Sequence, residues 1–293
     1  MASGMTTTGA LADSLPTMIA SARIIREFEG VLPQLVDVVT LGEGTGLVWN
    51  EISLAQLVAQ SVTETTELDN PQQMADTLLS LTPTVVGIQT RITDRVAARI
   101  SSNVYAKIGA LAQNAIQRKK DEDGITALDS GATTASPGAG ATLTSSHIAS
   151  AKVNISSNTT EPGPPPYRCV LHGFQIKDLF DELVAGVGAY VLTEGPTARV
   201  FSTGFNLPIA GCEVYEDGNI PIDATTTDAK GGVFSQQGVI LVQGRAPRVV
   251  AVRKENVGGG ATDVFHYDEY IYGLRAGTGW VMEIQSDATA PTS

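Results

Sequence analysis

The chain has 293 residues, enough for about two domains that bury a core. A count of 19 Lys and Arg against 31 Asp and Glu gives a formal charge of −12, yet only 17% of the residues are charged. Ordinary soluble domains are about 25% charged. The length excludes a wholly disordered chain, and the low charged fraction indicates that less surface faces water than in an ordinary monomer.

The N-terminal sequence MASGMTTTGALADSLP has no basic region, and Asp13 and Pro16 interrupt its apolar stretch. It therefore does not fit a secretory signal. No uncharged apolar run approaches the ~18 residues of a membrane helix, so we expect a soluble, cytoplasmic protein with no membrane partner. In that compartment Cys169 and Cys212 are expected to be buried thiols.

Residues 1 to 40 begin with small, Thr- and Ala-rich sequence and predict an N-terminal arm, with a short helix or extended segment near Ile24. Residues 41 to 90 predict a long two-stranded loop, because LVWNEI alternates like a strand and polar, β-branched sequence follows it. The tip is expected near Asn70. Few large apolar side chains lie near that tip, so we expect the loop to need a neighbouring surface.

The next segment carries the clearest helical pattern in the chain. Apolar residues recur every three to four positions: Ile92, Val96, Ile100, Val104, Ile108 and Leu111. The spacing predicts one amphipathic helix from about residue 93 to 121, roughly 43 Å long at 1.5 Å per residue. The basic cluster Arg118 to Lys120 suits its last turn, and Gly124 is the predicted stop.

Charge is distributed unevenly between these two segments. Glu27 to Thr90 contains nine acidic residues and no Lys or Arg, whereas Arg91 to Lys120 contains seven basic residues and one acid, Asp94. The two segments are either two solvated faces or a pair of complementary surfaces that meet within or between subunits.

A Gly-, Ala-, Ser- and Thr-rich linker follows the helix and precedes a short predicted helix near 147 to 155. A strand over 167 to 171 and a helix with Leu179 on its apolar face then form one α/β unit. From about residue 199 onward, β-rich runs alternate with Gly, Asn, Asp and Pro and predict strands joined by turns. The overall class is α+β.

Residue types that could carry chemistry do not converge. Cys169 and His172 are three apart on a predicted strand, so their side chains point to opposite faces. His266, Asp268 and Tyr270 share one strand face and could hold a metal, although such a row is more often a half-exposed sheet face. We therefore predict no catalytic residue, no metal site, no cofactor and no enzymatic activity.

Taken in order, these elements resemble the tailed-phage major capsid proteins, which have the Hong Kong 97-like capsid fold. Four stretches carry the resemblance: TETTEL followed by LTPTVVGIQTRITDR, the helix end QRKKDEDGITALDSG, the strand and helix YRCVLHGFQIKDL, and FNLPIAGCEVYEDGNIP. Each is loose alone, but the ordered set spans residues 24 to 285.

The resemblance implies an N-terminal arm, an extended β-hairpin loop, a peripheral domain with a long spine helix, and an axial α/β domain. The implied boundaries, in that order, are 1–40, 41–90, 91–130 with 233–285, and 131–232, followed by a C-terminal tail at 286–293. Some relatives link subunits covalently through a loop lysine. This loop has none, since the first lysine is Lys107, so no such crosslink is expected.

The implied function is self-assembly as hexamers and pentamers into an icosahedral virion shell that encloses double-stranded DNA without sequence-specific binding. Assembly would take place in the host cytoplasm. A separate scaffolding protein, a portal and a decoration protein are the expected partners. The alternatives are an encapsulin-like compartment shell and, more remotely, an α/β hydrolase or metal enzyme.

The charge contrast suggests one specific intersubunit contact. The acidic loop residues Glu64, Glu67 and Asp69 are expected to meet the basic helix of a neighbouring subunit. The candidate partners on that helix are Arg91, Arg95 and Arg99.

Overall fold

The computed structural model of the protein describes residues 5–6, 30–64, 71–100, 104–187 and 208–291. Sixteen elements occur in these ranges, in the chain order β1 (Met5–Thr6), α1 (Leu32–Leu35), β2 (Asp37–Thr40), β3 (Trp49–Leu54), β4 (Asp76–Leu81), β5 (Thr84–Thr93), α2 (Asp94–Ile100), α3 (Val104–Asp129), α4 (Ser145–Ser156), β6 (Tyr167–Leu171), α5 (Gly173–Val187), β7 (Cys212–Glu216), β8 (Asp228–Ser235), β9 (Val239–Lys254), β10 (Ala261–Leu274) and β11 (Val281–Asp287).

The strands form three sheets. A five-stranded sheet has the order β1-β5-β10-β9-β2, a four-stranded sheet has the order β11-β8-β6-β7, and β3 pairs only with β4. The long strands β9 and β10 run antiparallel from Val239 opposite Leu274 to Lys254 opposite Ala261, with an irregularity between Tyr267 and Tyr270. Their Val- and Tyr-rich sequences suit extended backbone.

Helix α3 joins the two larger sheets, because it contacts β5 and β10 on one side and β8 and β11 on the other. One core cluster includes Leu32, Leu128, Phe234 and Leu241 and lies between α1, α3 and strands of both sheets. A second core cluster packs α4 and α5 against the four-stranded sheet, with the side chains of Ile148, Leu171, Leu179 and Ile284.

The predicted end of the long helix is wrong. Helix α3 continues to Asp129, so Gly124 lies inside it. A Cβ atom on Gly124 would lie 2.3 Å from Cδ2 of Leu32 and 3.0 Å from the Tyr272 ring. Glycine is therefore required at this position for close packing rather than for ending the helix.

The predicted loop is a hairpin of β3 and β4, but its second arm ends earlier than residue 90. Thr84–Thr93 pairs along its length with β10 and belongs to the five-stranded sheet. The predicted tip at Asn70, the apolar arm segment near Ile24 and the β-rich run at 199 to 205 lie outside the described residues. The short helix, the α/β unit and the later strands are confirmed as α4, β6, α5 and β7 to β11.

Candidate interaction surfaces

The β3–β4 hairpin exposes an apolar face. Ile52 lies directly opposite Leu78, and Leu54 lies two residues further along the same face. These three side chains are 61%, 58% and 64% exposed. The exposed large apolar side chains of residues 47 to 78 are Leu47, Val48, Ile52, Leu54, Leu57, Val58, Val62, Met74 and Leu78. Monomeric proteins rarely expose so continuous an apolar surface, so this hairpin face is a candidate interaction surface.

The opposite face of the hairpin is fixed to the body of the protein. The Leu81 side chain packs against Gly273, where a Cβ atom would lie 2.5 Å from Cδ1 of Leu81. The Arg275 guanidinium donates to Glu51 on β3 at 2.8 Å and to Asp37 on β2 at 2.5 Å. Arg275 therefore holds the base of the hairpin against β2, while the apolar face stays open.

A second open surface lies at the far end of the five-stranded sheet. Strand β2 pairs with β9 only as far as Gln243, and no other described strand pairs with the outer edge of β9 beyond that point. Exposed basic side chains at Arg245 and Arg248 flank Pro247 there, and the Arg248 guanidinium lies 5.2 Å from the centre of the Tyr267 ring. Charge and proline on an edge strand discourage uncontrolled strand pairing, so this edge is suited to a specific contact.

The predicted charged residues are only partly described. Glu64 is exposed in the loop and Arg95 is exposed on α2, whereas Glu67, Asp69 and the Arg99 side chain lie outside the described residues. Among the described side chains, Glu64 forms no ion pair with Arg95 or Arg91 of its own chain.

Arg91 already has a partner within its own chain. Its Nε and Nη2 donate to the two carboxylate oxygens of buried Asp263 at 2.5 and 2.8 Å. The Gln89 amide donates to the same carboxylate at 3.0 Å. Hydrogen bonds from Arg91 lower the pKa of Asp263 and offset the opposing effect of its burial. Arg91 therefore fixes β5 to β10.

Several of the residues with catalytic or metal-binding potential are buried. The Cys169 and Cys212 thiols are free and buried, and burial raises the pKa of Cys169 well above its usual range. Such a thiol is a poor nucleophile. His266 and Asp268 are also buried. Within the described residues, no group of three or more His, Cys, Asp or Glu side chains could hold a metal ion.

One buried ionic cluster is not evident from the sequence pattern. Lys120 Nζ lies 3.2 Å from Oδ2 of Asp268 and donates to Gln243 at 2.5 Å, and it also lies 4.9 Å from the centre of the Tyr270 ring. The sequence places Lys120 in the basic cluster Arg118 to Lys120 at the predicted end of the helix. Lys120 lies four residues from Ile116 and four residues from Gly124, both of which are buried. This helical spacing indicates that Lys120 lies on the face of α3 that is directed at the core.

No helix in the described part of the chain is both long and apolar enough to cross a membrane.

No protein-family model matches the sequence. No curated protein matches it either. The fold, however, is similar to solved structures of bacteriophage capsids.

The cyanophage Pam1 capsid chain aligns with a TM-score of 0.71 at 13% identity, covering 94% of this chain and 99% of that one. A chain of the head structure of Helicobacter pylori bacteriophage KHP40 gives 0.71 at 12% identity, covering 92% and 94%. A chain from Mycobacterium phage Che8 gives 0.67 at 18% identity, covering 92% and 96%. The chain therefore has the α+β fold of phage capsid proteins, as the resemblance implied.

Proposed function

We propose that the protein is the major capsid protein of a tailed bacteriophage. It assembles as hexamers and pentamers into an icosahedral shell that encloses double-stranded DNA, and its role is structural rather than enzymatic. The observation that carries the proposal is the exposed apolar hairpin face on a chain with a phage capsid fold. Ile52, Leu54 and Leu78 remain more than half exposed in their own chain, so this face of the hairpin gains stability by covering a neighbour.

The proposed subunit has a Hong Kong 97-like organisation, with an arm (1–40), an extended loop (41–90, whose last residues from Thr84 onward form the start of β5 in the five-stranded sheet), a peripheral domain (91–130 and 233–285) and an axial domain (131–232). Two features support it. The hairpin pairs with no other strand of the described chain, and α3 joins the two larger sheets as a spine helix would. A scaffolding protein, a portal and a decoration protein are the proposed partners, with assembly in the host cytoplasm.

The proposed contact places the acidic loop of one subunit on the basic surface of the next. Glu64, Glu67 and Asp69 supply the negative charge. Arg91 is bound to Asp263 in its own chain. Arg95 and Arg99 therefore supply the positive charge, together with Arg245 and Arg248 on the open edge of the sheet. Each exposed pair is worth only ~0.2–1 kcal/mol and is screened by salt, so the contact acts through repetition around the shell.

Charge reversal tests this contact. We expect that changing Glu64, Glu67 and Asp69 to Lys blocks assembly at low salt, as measured by light scattering. The block should weaken as the salt concentration rises, because salt screens the repulsion. Changing Arg95 and Arg99 to Glu in the same chain should restore assembly in part. A matched Asp181→Lys variant reverses an exposed acid on α5 and should assemble normally. Loss of assembly that is indifferent to salt and to the second set of changes would contradict the charge pairing.

Electron microscopy of the purified full chain, co-expressed with the genes that adjoin its own, tests the function itself. We expect closed icosahedral shells with hexameric and pentameric units, and nuclease-protected double-stranded DNA when a portal and packaging proteins are present. Shells that instead enclose a protein cargo would support the encapsulin-like alternative. A protein that stays a 30.6 kDa monomer under all these conditions would contradict the proposal.

A further inference from the structure

Two buried carboxyl groups face each other where three parts of the chain meet. Asp121 lies on α3, and Asp217 begins the loop that follows β7; both are fully buried. The third part is the backbone of residues 30 to 32, which enters the core at α1. Gly30 packs so closely on Asp121 that a Cβ atom there would lie 2.2 Å from the Asp121 Cγ.

Hydrogen bonds account for three of the four carboxyl oxygens. Asp121 Oδ1 accepts from the Leu32 backbone N–H at 3.1 Å, and Asp121 Oδ2 accepts from the Asn219 side-chain amide at 2.9 Å. Asp217 Oδ1 accepts from the Asn219 backbone N–H at 2.9 Å. Asp217 Oδ2 is buried and has no hydrogen-bond partner. A buried carboxylate oxygen without a donor is costly, whereas a hydroxyl at the same position can donate.

The charged groups around the pair do not compensate two negative charges. No described Lys, Arg or His side chain forms an ion pair with Asp121 or Asp217. Residues 30 to 32 contribute only backbone, of which the Val31 N–H is directed at Asp217 and opposes the rise in its pKa without outweighing burial, and Asn219 is neutral. Lys120, which precedes Asp121 on α3, is directed at Asp268. From β10 the buried Tyr272 hydroxyl approaches, and burial followed by the charge of Asp121 raises its pKa, so it is neutral.

We propose that Asp121 and Asp217 share one proton, held on Asp217 Oδ2 and donated to Asp121, and that this proton closes a latch. The latch holds residues 30 to 32 and the loop at 217 to 219 against the spine helix α3. Loss of the proton leaves two carboxylates side by side in a buried site and releases both segments. The inference is independent of the proposed shell function.

The predicted pH dependence follows from linkage. Burial, followed by the hydrogen bond to Asp121, raises the pKa of Asp217 to about 7 in the folded protein, above the value of 3.8 for an ordinary Asp side chain. The folded latch therefore binds more protons than the open state between these two values. Latch stability is highest and level below about pH 4, falls as the pH rises toward 7, and is level again above that. One proton corresponds to a tenfold change in the opening equilibrium per pH unit.

Hydrogen exchange on the full chain tests the latch, with rates divided by the intrinsic rate at each pH. In the wild type, protection of the amides at 30 to 36 and 217 to 222 should fall about tenfold per unit from pH 5 to pH 7 and then level off. Protection of α4 (Ser145–Ser156) serves as the internal reference. Protection of the two segments that does not change with pH would overturn the proposal.

Two substitutions locate the proton. Asp217→Asn keeps the Oδ1 acceptor and places a permanent N–H donor toward Asp121, so the two segments should stay protected at pH 8 without a pH dependence. Asp121→Asn can accept from only one of its two donors, so protection should be lost at every pH. Asp181→Asn on the exposed face of α5 should retain the wild-type profile.

A wild-type pH profile in Asp217→Asn would overturn the assignment. If that variant does not fold, infrared spectroscopy of the wild type decides the question. A carbonyl band from a buried protonated carboxyl group should be present at pH 5.5 and lost at pH 9, and its absence at pH 5.5 would contradict the shared proton.

Discussion

Replacing Lys120 with Met is expected to lower the free energy of unfolding by about 3–5 kcal/mol. Lys120 is only 7% exposed, and its ammonium group lies 3.2 Å from the carboxylate of fully buried Asp268. Met fills a similar volume but leaves the Asp268 charge in the core without a cation. The Gln243 amide also donates to Asp268 but carries no charge, so it cannot replace Lys120.

Thermal or urea unfolding of the unassembled protein measures this effect. Lys119→Met is the matched control, because Lys119 is half exposed and pairs with Asp123 one turn along the same helix, an interaction worth under about 1 kcal/mol. A double variant, Lys120→Met with Asp268→Leu, should recover part of the loss, since it removes the uncompensated charge. Equal destabilisation by Lys119→Met and Lys120→Met would show that Lys120 is not a core residue.

Replacing Ile52 and Leu78 with Thr is expected to raise the protein concentration needed for assembly about a hundredfold, with little change in the stability of the single chain. The two side chains face each other on the open face of the hairpin and are more than half exposed. Covering the exposed part of each one is worth about 1–2 kcal/mol, so losing both costs about 2–4 kcal/mol per loop contact. Thr retains the preference for extended backbone.

Sedimentation and negative-stain microscopy measure assembly, while circular dichroism confirms that the fold is intact. Ile52→Val with Leu78→Val keeps an apolar face and should assemble nearly normally. Val153→Thr removes an exposed apolar side chain on α4, outside the hairpin, and should have little effect. Assembly of the Thr double variant at wild-type concentration would contradict the role of this face and would remove the main support for the proposed function.

The local sequence pattern predicts the first part of helix α3, whereas tertiary contacts explain its last part. The three- to four-residue apolar spacing correctly predicted a long helix through residues 104 to 121. It did not predict the continuation past Gly124, because a glycine is read as a stop when its neighbours are unknown. The Leu32 and Tyr272 side chains occupy the space that a Cβ would need, and they come from α1 and β10.

In strand β11 too, the local sequence pattern does not predict which side chains are buried. Met282 and Ile284 alternate with the polar residues Glu283 and Gln285, a pattern that indicates one buried and one exposed face, yet Val281, Met282, Glu283 and Ile284 are all buried. Helix α3 contacts β11, and so does α4, so both faces are covered. Alternation reports the residue types on a strand but not what packs on each face.

The sequence by itself determined the order of the helices and strands and the charge contrast between the acidic segment and the basic segment, because these depend on spacing and composition along the chain. It also carried the ordered motifs from which the phage capsid fold was correctly inferred. Only the tertiary structure decided which charges are free. Arg91 and Lys120 belong to the same basic run, yet one is bound to Asp263 and the other to Asp268, about 150 to 170 positions away. Such pairings depend on strand register and helix placement, and no local pattern encodes them.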